Sequence, residues 1–121
     1  MKKKLKKISL KKLGIKEVKY CKSSFSQGLG LMFSRKNNSK ALVFELKKPK
    51  KVPLHMWFVF YPIDVLYLNE DDEGKKRIVE IKENFKPFRF YFPKKKAKYV
   101  IELPANTVSK GKLNVNDILV L

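Results

Sequence analysis

Five residues carry most of the chemistry that this sequence offers. Asp64 and Glu102 are carboxylates set into apolar runs, the first near the start of residues 63–68 and the second inside residues 99–103. A carboxylate in a half-buried sheet is costly unless something pairs with it or donates to it. Arg35 and Arg89 are two of only three arginines in 121 residues. Arginine grips a carboxylate or another anion through two parallel donors. His55, the single histidine, lies between Leu54 and Met56. Two arrangements follow from these residue types. In one, each carboxylate is tied down internally, by an arginine or by loop amides. In the other, Arg35, His55, Asp64, Arg89 and Glu102 form the rim of a ligand site, where an arginine holds an anion and a carboxylate orients it. A hydrolase built on Asp64 and Glu102 needs a separation that sequence spacing does not fix. Cys21, Met32, His55 and Met56 are donor types that copper takes, and Cys21 with His55 is a nucleophile and a base lacking an orienting third group. Neither set is assigned as a site. No metal ligand, cofactor or catalytic residue is assigned, and the sequence leans towards a binding module rather than an enzyme. It holds no phosphate-cradling glycine loop and no nucleophile elbow.

A second chemistry lies in the charge. Lys and Arg number 29 against 11 Asp and Glu, for a net charge of +18. All but three of the cations are Lys, a point charge, where Arg would supply two-pronged contacts to base edges. The surplus therefore fits nonspecific attraction to nucleic acid, and equally an AT-rich genome or a thermophilic source. Residues 88–92 read Phe-Arg-Phe-Tyr-Phe and precede Lys94, Lys95 and Lys96, mixing rings and bases as single-strand binders do. Strand alternation sends Phe88, Phe90 and Phe92 to a core and leaves Arg89 and Tyr91 outside. Tyr91, Lys94, Lys95 and Lys96 are then the nucleic-acid surface expected.

The elements that position these residues are mostly strands. Residues 1–12 hold seven lysines and no acid. Residues 1–16 are expected to form a basic tail or edge segment, and 17–121 a single β-rich domain. Residues 17–22 alternate as a strand, and Ser23 or Ser24 opens a short helix through Phe25, Leu29 and Met32. Residues 41–46, 54–60 and 63–68 are apolar runs, the last two read as central strands broken at Pro62. Residues 69–74 form an acidic turn ending in Gly, joining 63–68 to an alternating strand at 77–82 as a hairpin. In residues 99–103, Tyr99, Ile101 and Leu103 share one face and Val100 and Glu102 the other. A turn or helix at 105–110 leads to a last strand at 118–121. The expected class is mainly β (α+β): one small-barrel or sandwich-like domain of short, mostly antiparallel strands with one or two short helices. No apolar run reaches the ~18 residues of a membrane span, and no continuous apolar stretch follows the N-terminal lysines. The expected location is the cytoplasm.

Several blocks together resemble a known family. Residues 28–35, Gly-Leu-Gly-Leu-Met-Phe-Ser-Arg, are similar to the Arg-x-x-Gly-Leu-Met-Phe-Arg signature of the domain of unknown function 192 family. His55-Met56 with Pro62-Ile63-Asp64 is similar to its Trp-Met-Lys-Asn-Thr-x-Ile-Pro-Leu-Asp segment. Lys86-Pro87, Pro93 and residues 99–105 resemble its later Pro and Tyr-Val-Leu-Glu-Leu-Pro-Ala-Gly blocks. Asn116-Asp117 stands where the family has Gly-Asp. Trp57-Phe58-Val59 replaces a polar trio, and Asn106 replaces a glycine. The resemblance implies a β-rich single domain of bacterial and archaeal type without an established activity. The functional expectation is a binding module for a small polar or anionic ligand or a protein partner, with nonspecific nucleic-acid binding and a paired-carboxylate hydrolase as alternatives.

Overall fold

Two stretches without a polar face dictate the architecture. In β5 (Ile63–Glu70) the first six residues are buried, and in β8 (Ala97–Pro104) six of eight are buried. Such strands must be covered on both sides, so they occupy the middle of a sheet. The protein, seen here as a computed structural model, is described over residues 6–21, 39–55 and 61–121. Its remaining strands are β1 (Lys7–Ser9), β2 (Glu17–Cys21), β3 (Lys40–Lys50), β4 (Leu54–His55), β6 (Lys76–Phe85), β7 (Phe90–Tyr91) and β9 (Ile118–Val120). One short helix, α1 (Thr107–Gly111), and a single 3-10 turn (Leu10–Leu13) complete the described elements. Seven strands form a half-barrel sheet in the order β1-β9-β6-β5-β8-β3-β2, and β4 pairs separately with β7. The pairs β1/β9 and β2/β3 are parallel and the others antiparallel.

The sheet has a core on each face. Leu66, Leu68, Ile101 and Leu103 point to one side, where Val108 of α1 and Leu10 of the 3-10 turn cover them. Val65, Tyr67, Phe85, Val100 and Phe44 point to the other, with half-buried Tyr91 of β7 packed against them. The β5–β6 hairpin forms at the expected turn. There Asp71 Oδ1 accepts from the amides of Glu73 and Lys75 at 2.9 Å each, and Gly74 takes φ +78°. The hydrogen bond from the Lys75 amide leads in holding the Asp71 carboxyl below the usual range. Residues 1–16 are expected as a basic tail or edge segment; of these, Lys7–Ser9 form an edge strand and Leu10–Leu13 a 3-10 turn. β1 lies at the sheet edge against β9, and Leu10 and Ile15 enter the core.

Of residues 54–60, expected as a central strand, Leu54 and His55 pair with Tyr91 and Phe90 in a separate ribbon, and residues 56–60 lie outside the described residues. One expectation is overturned: Phe88, Phe90 and Phe92, expected in the core, are exposed and Tyr91 points inward. Pro87 and Pro93 bracket the segment, Phe88 adopts a left-handed φ of +58°, and the strand shrinks to two residues. The short helix expected from Ser23 or Ser24 lies outside the described residues.

Asn106 and Asn116, which stand where the resembled family carries glycine, have φ of +72° and +79°. Asn is the non-glycine residue that tolerates this region best, so the same backbone requirement is met by a different side chain. Asn106→Ala and Asn116→Ala should each lower stability by about 1 kcal/mol, while the Gly variants leave it unchanged or higher, as read by denaturant unfolding.

Candidate functional site

The register of β5 against β8 decides what the two carboxylates can do. Asp64 stands opposite Leu103, and Glu102 stands between Val65 of β5 and Leu42 of β3. Leu103 belongs to the core under α1, whereas Val65 and Leu42 belong to the other. Asp64 and Glu102 therefore lie on opposite faces of the sheet and cannot act on one substrate atom. The paired-carboxylate hydrolase, and a single rim holding both residues, are thereby corrected.

Asp64 is 1% exposed and its two oxygens are engaged by backbone. Oδ1 accepts from the Asn84 amide at 2.8 Å, and Oδ2 from the Val108 amide at 2.9 Å. One carboxylate thus ties the end of β6 to the first turn of α1. The amide tie, not an arginine, is the arrangement realised. Each such charge-assisted bond contributes about 1.5–3 kcal/mol, and an unmet partner costs more.

Glu102 is the opposite case. Its side chain is buried, and Oε2 has no hydrogen-bond partner among the described residues. Desolvation raises its pKa from 4.5 to about 8, so the carboxyl is largely protonated at neutral pH. On the same face, two residue pairs along the ladder, Tyr67 is fully buried and its hydroxyl also lacks a partner among the described residues. Burial pushes the Tyr67 phenol well above its ordinary value, with the charges of Tyr91, Glu80 and Glu102 adding to the shift. Its ring lies 6.0 Å from that of Tyr91. Two hydroxyl-bearing groups thus face one apolar layer, each able to donate and accept. Buried polar groups are nearly always satisfied in folded proteins, so two orphans on one face require an explanation.

The remaining candidates sit near β7. Arg89 and Lys94, Lys95 and Lys96 are exposed. Tyr91, expected as an exposed stacking ring, is half-buried instead: burial, with the hydrogen bond its hydroxyl donates to Glu80 Oε2, pushes its pKa to about 12. Glu80 Oε1 also accepts from the amides of Lys94 and Lys95 at 2.9 and 2.8 Å. That pinning turns Tyr91 inward and the phenylalanines outward. His55 contributes β4 backbone beside Phe90. Arg35 and the side chains of Cys21 and His55 lie outside the described residues, as do Met32 and Met56. No cluster of three His, Cys, Asp or Glu side chains occurs among the described residues. No helix among them is long and apolar enough to cross a membrane.

Sequence reasoning missed Tyr67 and Glu80. A tyrosine inside a strand covered on both sides, at the parity of Val65, was the available signal for the first. Glu80 left no local signal, because its partners lie 11 to 15 residues away.

A half-barrel sheet with a short helix on one face and a two-stranded ribbon by the other defines a small β-domain class. The chain belongs to the DUF192 family of uncharacterized ACR proteins, whose model matches residues 7–121. A UPF0127 protein of Pyrococcus furiosus is 32% identical over 103 residues, covering 85% of this chain and 84% of that one. A UPF0127 protein of Thermococcus sibiricus is 33% identical over 102 residues, covering 83% and 62%. Among solved structures, a Novosphingobium aromaticivorans protein of unknown function aligns with TM-score 0.72 at 18% identity, covering 84% of this chain and 71% of its own. A Sinorhizobium meliloti chain described as a candidate transcription regulator gives 0.73 at 24% identity, covering 84% and 78%. These last two show the fold.

The carboxylates should respond oppositely to substitution. Asp64→Asn turns an acceptor into a donor facing an amide and should cost about 2–3 kcal/mol. Glu102→Leu removes an unsatisfied group and should stabilise by about 1–3 kcal/mol at pH 7, both by denaturant unfolding. The pH dependence has a definite sign. Folded Glu102 keeps its proton up to about pH 8, while the unfolded chain releases it near 4.5. The unfolded state then binds fewer protons, so stability falls as pH rises from about 4.5 to about 8 and levels off above. Glu102→Gln should remove that slope.

Proposed function

We propose that this chain is a binding module that takes up a small, uncharged polar ligand against Glu102 and Tyr67. The observation that carries the reading is the pair of buried polar atoms, Glu102 Oε2 and Tyr67 Oη, on one face of the sheet and without partners among the described residues. Each is a donor and an acceptor in its protonated form. A ligand with an amide, or a hydroxyl beside a carbonyl, matches both, and its apolar part matches the surrounding Val65, Val100, Leu42 and Phe44. An anion is the poorer fit, because the carboxyl already resists ionisation and no described cation reaches it. Of the five residues first expected on a rim, Glu102 remains at the centre. Asp64 serves the fold from the other face.

Retaining the two orphans costs about 1–3 kcal/mol each, which a ligand that bonds both would return. The reading is checked by two-dimensional NMR with three sets of small fragments: neutral amides, carboxylates and amines. The amides should shift the backbone signals of Val65, Tyr67, Val100 and Glu102 and do so at least tenfold more weakly in Glu102→Leu. Shifts caused only by carboxylates, or by no fragment, would contradict the proposal.

A further inference from the structure

The loop that breaks the expected strand carries a second surface, independent of the buried pair. Residues 86–96 hold Lys86, Arg89, Lys94, Lys95 and Lys96 and no acidic residue. All five cations are exposed, and so are three phenylalanines: Phe88 at 45%, Phe90 at 55% and Phe92 at 70%. Phe90 and Phe92 lie nearly parallel, with centroids 6.3 Å apart and planes 11° from each other. Three exposed large rings in five residues are unusual for a surface that touches only water.

The segment is held in this form. Glu80 accepts from the Lys94 and Lys95 amides and from the Tyr91 hydroxyl, while the Asn69 side chain donates to the Lys96 carbonyl at 2.8 Å. Phe88 sits at φ +58°, a region that costs a bulky residue about 1–2 kcal/mol and concentrates at working surfaces. The acid that fixes the loop is consumed by backbone and phenol donors, and Lys94, Lys95 and Lys96 are exposed on the same segment as the rings.

We propose that Phe90 and Phe92, flanked by Arg89, Lys94, Lys95 and Lys96, form a stacking platform for single-stranded nucleic acid. Flat π faces held at a fixed orientation suit bases, which stack without sequence preference. The surrounding cations suit the phosphate backbone, and a surplus made of Lys fits backbone attraction rather than base readout. Acyl chains need apolar bulk but no parallel faces, so an anionic membrane is the poorer occupant.

The test is fluorescence anisotropy with a labelled twelve-residue oligothymidylate at several salt concentrations. The unmodified chain should bind at ~50 mM salt. The double variant Phe90→Ala with Phe92→Ala should bind about tenfold or more weakly with an unchanged salt slope. The triple variant Lys94→Ser, Lys95→Ser, Lys96→Ser should flatten the slope by roughly 2. A blunt duplex should not distinguish the phenylalanine variant. Circular dichroism checks that each variant is folded, and Phe92→Ala alone, at the most exposed ring, should show part of the loss. Equal affinity of the unmodified chain and the phenylalanine variants would overturn the proposal. So would no binding at ~50 mM salt, or ring-dependent binding to phosphatidylserine vesicles in place of the oligonucleotide.

Discussion

The pairing of β5 with β8 is the constraint on which the rest of this molecule depends. Both strands are covered on both faces, so their register is enforced by two cores at once. Setting Val65 against Glu102 and Asp64 against Leu103 sends one carboxylate to each side of the sheet. A slip of one residue would move Leu66 and Ile101 out of one core and Val65 and Val100 out of the other. It would also turn Asp64 away from the two amides it satisfies. The apolar packing of the sheet thereby divides the two acids between different tasks.

That division explains how two buried acids of the same chemical type come to differ. Asp64 meets two donors supplied by backbone that folding places there, and its charge is an asset. Glu102 Oε2 meets none among the described residues, and desolvation wins. A residue that lowers stability without holding anything together is usually kept for something else, and this is the physical case for placing recognition on the Glu102 face. Glu80 shows a third outcome. Half-buried at the edge of the same core, it binds one phenol and two amides, and so fixes a loop whose cations and rings face solvent.

Local patterns were readable where the deciding interactions are local. The acidic turn at 69–74 closes a hairpin because Asp71 and Gly74 satisfy it within a few residues, and the two faces of β8 follow from alternation. The family resemblance was legible too, in blocks spread across the domain. Interactions between distant residues defeated the reading elsewhere. β1 is a sheet strand because it meets β9, more than a hundred residues on. The run at 54–60 resembles a central strand by composition, yet its first two residues, β4, find their partner in β7. Alternation in residues 88–92 was real, but which parity faces inward was settled by Glu80. The placement of Asp64 and Glu102 was hidden for a similar reason, since only the β5–β8 register reveals that they face apart. The lysine surplus was legible as a number only.

The account rests most heavily on an uncharged Glu102 held inside the sheet. Carbon-13 NMR of the Glu102 side-chain carboxyl, assigned by comparison with Glu102→Gln and followed from pH 4 to pH 10, reports that state directly. The account predicts a single titration centred at about pH 8, with the carboxyl largely protonated at neutral pH. A titration centred near 4.5, the ordinary glutamate value, would show a solvated or partnered carboxylate and contradict it.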